Sequence, residues 1–506
     1  MNLNQLRRLS KTLHKLDGAN PFITLKQSSA YRKFYFSLIE QSLTDEDYLR
    51  QFYKSTADLQ KYRSFKTRYK EKLLNALYNC TLEDAINLSE YREKELTLMK
   101  GVAVSTMLRN LNLRQESIDL LINLEKLADN VDNRYFQLYI DTTLIEELTF
   151  TRNGQRVNYF YERQNKTHTL LNEIIKTHRN WSKIAGHYLS ISNSLKPHEQ
   201  LNIKNDLLKI KDDQEILNSF FGSEHLFTSL SLIANNEKNT EEQIEIISEA
   251  LTYFKSADSI SKVGLHVNNL RLGIAYLFQK NFEKALSYLI EALNYSPNKK
   301  LISWHNHLRY IFITHMYLGD FKAACETISE IQTQNNLSKL PAPFSEPWYI
   351  YEAFIHFLIK TKKIDSDSIK DIPLRSFRLS RFMNEVSHFS KDKKGYNITI
   401  NILQALFLIA DKKYDAATDK FHALKQYSYR YLRKPEFIRP RTFINMLQSI
   451  PSGHFHKKLV EQRSAKHRKV LEDNPMDYSE KSLGLEIVPY EQLWQEVLHL
   501  LDPKQN

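Results

Sequence analysis

The residue types that most often carry chemistry are sparse in this chain and poorly placed relative to one another. His305 and His307 stand two apart in a helical pattern, where their imidazoles point in different directions and make a poor chelate. His454 and His456 follow Gly453 in a basic loop, without a third ligand at metal-type spacing. Glu146 and Glu147 are neighbours on a helical pattern, and neighbours diverge, whereas general acid–base work needs carboxyls that converge on a cleft. No two glycines are close enough to cradle a phosphate, and no serine or cysteine sits in a nucleophile elbow. Cys80 and Cys325 are the only cysteines; they cannot form a disulfide framework for a chain of this size and read as reduced core thiols. No catalytic set, metal or cofactor is implied, and the expectation is a protein without enzymatic activity.

Two stretches mix basic and aromatic residues, a combination that grips phosphate and stacks bases. In the first, Lys61, Arg63, Lys66, Arg68, Lys70 and Lys72 surround Tyr62, Phe65 and Tyr69. The rings there fall on one apolar face, which assigns them to packing and leaves the basic groups to solvent. The same region, Ser42 to Leu74, also reads as helix, short turn, helix, with Thr44 capping the first helix and Asp58 opening the second. That is the outline of a DNA-reading pair. In the second stretch Arg430, Arg433, Lys434, Arg439 and Arg441 accompany Tyr427, Tyr429 and Tyr431. Alternating tyrosines lack helical spacing, and Pro435 and Pro440 break any single helix. This segment is therefore expected to be irregular and exposed, with Arg433 and Arg439 as its contact residues. A third basic cluster, from Lys457 to Lys469, reads as a solvated helical face.

These residues must be positioned by helices. The chain has 506 residues, 42% apolar, with only 11 Gly and 13 Pro, against about 35 and 25 at average usage. Few sharp turns remain for hairpins of strands. Steps of three and four place Tyr62, Phe65, Tyr69, Leu73 and Leu77 on one face, and likewise Ile244, Ile247, Leu251 and Phe254. The same spacing links Leu138, Ile145 and Leu148. Gln155 to Tyr161 is the one short strand candidate. With 71 Lys+Arg against 59 Asp+Glu, the net charge of +12 permits acidic partners without proving them. Residues 1–18 lack the apolar core of a signal peptide, and no run approaches a membrane span, so a cytoplasmic location is expected.

The best-organised segment runs from His266 to Lys299. Leu272, Gly273 and Tyr276 form the inner face of one helix; a short connection at Gln279–Asn281 follows; Ala285, Leu289 and Ala292 line the next, which Pro297 stops. Small residues where two antiparallel helices cross, with a proline at the end, describe a pair that must stack on others to bury its remaining face. Thr399 to Tyr431 repeats this with Ala405, Leu408, Ala417, Phe421 and Leu424, and Leu308 to Gln334 with Gly319, Ala324, Ile328 and Ile331. A fainter copy lies between Val104 and Ala128. The pattern resembles the tetratricopeptide repeat at Leu272, Gly273, Tyr276, Ala285, Ala292 and Pro297, with Asn269 where that family often has tryptophan.

The resemblance covers about a third of the chain. It implies an all-α fold, a right-handed superhelix of antiparallel helix pairs, divided here as 1–80, 81–235, 236–340, 341–451 and 452–506. A proline cluster at Pro341, Pro343 and Pro347 is expected to separate two stacks. The resemblance also implies a concave groove for a protein or peptide, lined by the first helix of each pair: Leu270, Ile274 and Leu277, then Asn306, Arg309, Ile313 and Met316. The lysine and asparagine clamp for a C-terminal carboxylate is not reproduced. Two further readings stand beside this one: the apolar strip is covered by the protein's own helices, or the chain is a repeat-containing regulator that binds nucleic acid through its basic, aromatic segments. Nothing in the sequence sets the oligomeric state.

Overall fold

The computed structural model describes residues 3–15, 22, 25–40, 44–52, 59–79, 90–150, 154–189, 196–256, 261–295, 302–334, 337, 340–387, 395–478 and 484–501. Cys80, Asp58 and Pro297 lie outside them. Every α-helical or 3-10 element among the described residues is a helix, and no strand occurs there. Two compact units, Met1–Asn172 and Glu173–Asn506, divide the chain.

In the first unit α1 (Leu3–Lys15), α2 (Ala30–Glu40), α3 (Asp45–Phe52) and α4 (Leu59–Asn79) surround an aromatic core. Phe34 meets Tyr48 and Tyr69 edge-on at 4.9 Å. Thr44 caps α3 as expected: its hydroxyl accepts from Asp47 N–H at 3.3 Å while Asp47 accepts from Thr44 N–H at 2.8 Å. Then come α5 (Glu90–Asn110), α6 (Arg114–Asn130), α7 (Arg134–Phe150) and α8 (Gly154–Leu189), the last running across the unit boundary. The strand candidate at Gln155–Tyr161 is in fact the first two turns of α8. Val157 and Phe160 face the core and Leu171 continues that face, a spacing that only becomes visible over a longer window.

The second unit continues with α9 (Pro197–Lys209), α10 (Gln214–Leu217), α11 (Phe220–Asn236), α12 (Thr240–Ser256), α13 (Ser261–Phe278), α14 (Phe282–Asn294), α15 (Ile302–Leu318), α16 (Phe321–Thr333), α17 (Ala342–Lys360), α18 (Leu379–Glu385), α19 (Tyr396–Ala410), α20 (Tyr414–Tyr431), α21 (Ile438–Ser452), α22 (Lys457–Asp473) and α23 (Tyr490–Leu500). From α11 to α17 each helix packs on the next, and the order resumes from α19 to α23. This packing is consistent with a helical repeat.

One turn recurs. Lys238, Lys280, Gly319, Lys362, Lys412 and His454 all have φ between +53° and +75°, about 40 residues apart in most cases. After each, the next backbone N–H donates five residues back: Asn281 to Tyr276 at 2.9 Å, Asp320 to His315 at 3.0 Å, Lys413 to Leu408 at 2.9 Å. This is the left-handed closure that satisfies the last carbonyls of a helix. After Lys238, Lys280, Gly319 and Lys412 the next residue leads directly into the following helix, as where Asn281 and Asp320 accept from Lys284 and Ala323 N–H, whereas Lys362 is followed by a longer connection. Asn112 and Asp132 do the same in the first unit.

The prolines at 341, 343 and 347 do not divide the core. Pro341 precedes α17 and Pro343 lies in its first turn, where the missing N–H has no intrahelical partner to lose. One apolar cluster takes in Leu277 and Leu308 before them and Leu406 and Trp494 after them. The crossing of α13 on α14 matches the small-residue reading. A Cβ added to Gly273 would stand 2.6 Å from Leu289 Cγ and 3.1 Å from the Ala285 carbonyl oxygen. Gly273→Val is therefore expected to destabilise the second unit by roughly 1–3 kcal/mol, read as a lower denaturant midpoint; an unchanged midpoint would show that the two helices are not in close contact there.

Candidate interaction surfaces

In the second unit α13, α15, α19 and α21 each lead through a short turn into a helix packed on them and are here called first helices, and the sequence-predicted groove residues lie on α13 and α15. Leu277, Ile313 and Met316 are buried in the core and are not presented to a partner in this conformation. Leu270 and Ile274 are half-buried against the same cluster. Asn306 is half-buried, and Arg309 donates from Nε to the Tyr351 hydroxyl at 2.9 Å. The helical phase explains the difference, because a helix packed on both neighbours in sequence and on the next pair has little free apolar face left.

Part of the first-helix surface is covered by the chain's own connection between α22 and α23, residues 474–489, of which 479–483 lie outside the described set. Its main-chain carbonyls are held from three elements. The Tyr317 hydroxyl of α15 donates to Glu486 O at 3.1 Å, and Thr399 Oγ1 of α19 lies 3.2 and 3.0 Å from the carbonyls of Gly484 and Leu485. Arg439 of α21 donates to Asn474 O at 2.6 Å, and also to Leu471 O in the last turn of α22 at 3.2 Å. Tyr478 packs between Phe282, 5.5 Å away, and Tyr317, 5.1 Å away. Ile487 and Val488 are buried.

This corrects the reading of Arg439 as a surface contact. It is 8% exposed. Its Nε donates to Glu486 at 2.9 Å and its Nη2 to Glu491 at 2.7 Å, and the two carboxylates keep the guanidinium firmly charged despite burial. Burial pushes the Glu486 carboxyl up while Arg439 pulls it down. A lone acid inside the run Leu485-Glu486-Ile487-Val488 was the available signal for a buried pair. Arg433, by contrast, is exposed, its guanidinium 4.2 Å over the Tyr429 ring. The tyrosines at 427, 429 and 431 do not alternate in an irregular segment; they end α20, with only Tyr429 turned fully outward, 71% exposed.

Beyond the covered part, the C-terminal half of α8 meets α11, which in turn pairs with α13. The His225 ring stacks on Trp181 at 4.9 Å, with His178 at 4.8 Å and Phe221 at 6.0 Å. Glu224 pairs with Arg271 at 2.9 Å. Burial, then the nearby His178 and Arg271, hold His225 down at about 4, so it is neutral at pH 7. His178 and Phe221 are exposed. Sequence reasoning passed over this cluster because its four rings come from two helices more than thirty residues apart.

The paired histidines and glutamates fare differently. His307 is buried with Nε2 2.7 Å from Leu289 O, and burial lowers its affinity for a proton to about 4. Glu147 is buried and accepts from Arg109 Nε at 2.9 Å, while Glu146 at the surface accepts from the same guanidinium. Among the described residues no group of three or more His, Cys, Asp or Glu is arranged to hold a metal ion, and no helix is long and apolar enough to cross a membrane. No family model, no curated protein and no solved structure matches this chain.

The least expected polar group is Asp141 of α7, fully buried. Arg163 of α8 is shared among Glu125, Asp129 at 3.0 Å and Asp141 at 3.4 Å, and neither Asp141 oxygen has a hydrogen bond. Burial, then Asp129, raises the Asp141 carboxyl to about 7. An unfolded aspartate titrates near ~3.9, so between these values the folded state binds the extra proton and stability falls as pH rises from about 4 through 7. Asp141→Asn should flatten the pH dependence of the unfolding midpoint between pH 5 and 8; an unaltered profile would mean that Asp141 is ionised throughout. For Arg439→Met, which leaves Glu486 buried without its cation, a loss of about 3–5 kcal/mol is expected, with Arg439→Met/Glu486→Met recovering part of it. Equal midpoints for wild type and the single variant would count against the buried pair.

Proposed function

We propose that the chain is a non-enzymatic scaffold or adaptor, a tetratricopeptide-like right-handed stack of antiparallel helix pairs that holds a protein or peptide segment on the first-helix surface of its second unit. One observation carries the reading: that surface already holds a stretch of irregular backbone, chiefly through main-chain carbonyls, from Tyr317, Thr399 and Arg439. Recognition of carbonyls is indifferent to side-chain identity, so the same chemistry suits a peptide of another chain. Where the chain's own segment lies, its effective concentration is set by a short tether and an outside competitor is at a disadvantage. The partner is therefore assigned to the remaining part, with half-buried Leu270, Ile274, Asn306 and Arg309 and the exposed rings of His178 and Phe221. Exposed aromatic rings beside a paired charge are the composition of interface centres.

The test compares partners retained from a native lysate by wild type, Phe221→Glu, Asn306→Glu and, as a control on a different face, Tyr429→Ala. A partner kept by wild type and Tyr429→Ala and lost from both acidic variants, at unchanged unfolding midpoints, is expected. Identical partner sets for all four proteins would remove this surface from the reading.

A further inference from the structure

Residues 1–79 carry 15 Lys+Arg against 7 Asp+Glu, so a surplus of +8 out of +12 lies in the first sixth of the chain. Helix α4 concentrates it, with six basic residues and a single acid, Glu71. The inward face is fixed by buried Tyr62, Tyr69, Leu73 and Ala76. At about 100° per residue, Lys61, Arg68 and Lys72 run along one edge of that face and Arg63 and Lys70 along the other. Lys66 pairs with Asp45 at 2.8 Å, and the Lys72 ammonium lies 5.4 Å over the Tyr31 ring. Between the two edges the outward face presents Gln60, Ser64, Thr67, Glu71 and Asn75, all exposed and mostly short and polar, and toward the C-terminal end of the helix the exposed Leu74 and Tyr78.

We propose that α4 docks in the major groove of double-stranded DNA, its two basic edges against the two phosphate walls and its short polar face toward the base edges. The observations are geometric and electrostatic. A helix of about 10–12 Å diameter matches a groove about 12 Å wide, and basic residues on both flanks match phosphates on both sides. Along the basic stretch from Lys61 to Lys72 the aromatic residues are unavailable for stacking on unpaired bases: Tyr62 is buried, Tyr69 is buried against Phe34 at 4.9 Å, and Phe65 stacks on Tyr31 at 4.9 Å, so that the exposed ring of α4, Tyr78, lies beyond that stretch in the last turn. That favours a duplex over a single strand. The deep, narrow major groove of an RNA duplex does not admit a helix. The base of α4 is held rigidly, with the Tyr69 hydroxyl 2.6 Å from Ser10 Oγ and Tyr62 donating to Asp45 at 2.8 Å. This inference is independent of the peptide reading, which concerns the second unit.

The experiment is fluorescence anisotropy of the full chain with a labelled DNA duplex of about 20 base pairs. Five edge contacts predict a salt slope of roughly −4 to −5, a several-hundred-fold loss between about 50 and 200 mM salt. Arg63→Gln/Arg68→Gln should flatten the slope by about 2, and Ser64→Leu/Thr67→Leu should weaken DNA binding while leaving binding to polyglutamate unchanged. Circular dichroism and the unfolding midpoint identify variants that fail to fold, and the Gln double variant is conservative enough to keep both. No binding at low salt overturns the proposal, as does an unchanged slope in the folded Gln variant. Equal affinity for an RNA duplex, for polyglutamate, or for vesicles of phosphatidylcholine and phosphatidylserine would also overturn it, because a generic basic surface does not discriminate among polyanions.

Discussion

A chain that descends one helix and ascends the next within three residues must place one residue in the left-handed region, and that constraint organises most of this molecule. At Lys238, Lys280, Gly319 and Lys412 the same closure ends one helix and leads into another. It fixes the antiparallel sense of each pair and the phase at which the second helix returns. Only Gly319 meets the requirement without strain. A side-chain-bearing residue there costs about 1–2 kcal/mol, which the satisfied carbonyls and the buried crossing behind the turn offset. At the α13–α14 crossing Gly273 lies against Leu289 and Ala285, and the packing of both helices depends on the absence of a single Cβ.

Arginines tie together what the turns leave apart. Arg375, in the connection before α18, bridges Glu352 of α17 and Glu385 of α18 at 2.8 Å from the latter. Arg439 joins α21 to the segment before α23, and Arg163 joins α8 to α6 and α7. In each case the carboxylates come from elsewhere in the chain and at least one is buried. Such pairs add little net stability over an apolar substitute, but they tolerate only one arrangement. Their effect is to set register in a fold whose apolar contacts alone would permit sliding.

Charge and apolar surface are distributed unevenly. The helices before residue 80 bury rings and expose cations, while the second unit buries long apolar helices and neutralises its inner arginines with acids. The basic stretch of α4 and the basic stretch ending α20 look alike in composition. They differ in structure because one arginine of the latter, Arg439, is withdrawn into the core.

Helical class, the inner faces of α4 and α12, the α13–α14 crossing and the turns at Gln279–Asn281 and Gly319 were legible in the residues, because each follows from periodicity or from a local conformational demand. The groove was only partly so. Leu277, Ile313 and Met316 carry the right spacing, yet an apolar stripe does not reveal which neighbour will cover it. The burial of Asp141, the Arg439–Glu486 pair, the ring cluster around His225 and the placement of residues 474–478 and 484–489 on the first helices were decided by tertiary structure alone. Each joins groups from different helices or connections, often far apart in sequence, and the free energy of burying a charge or a backbone carbonyl is set by partners that local pattern does not identify.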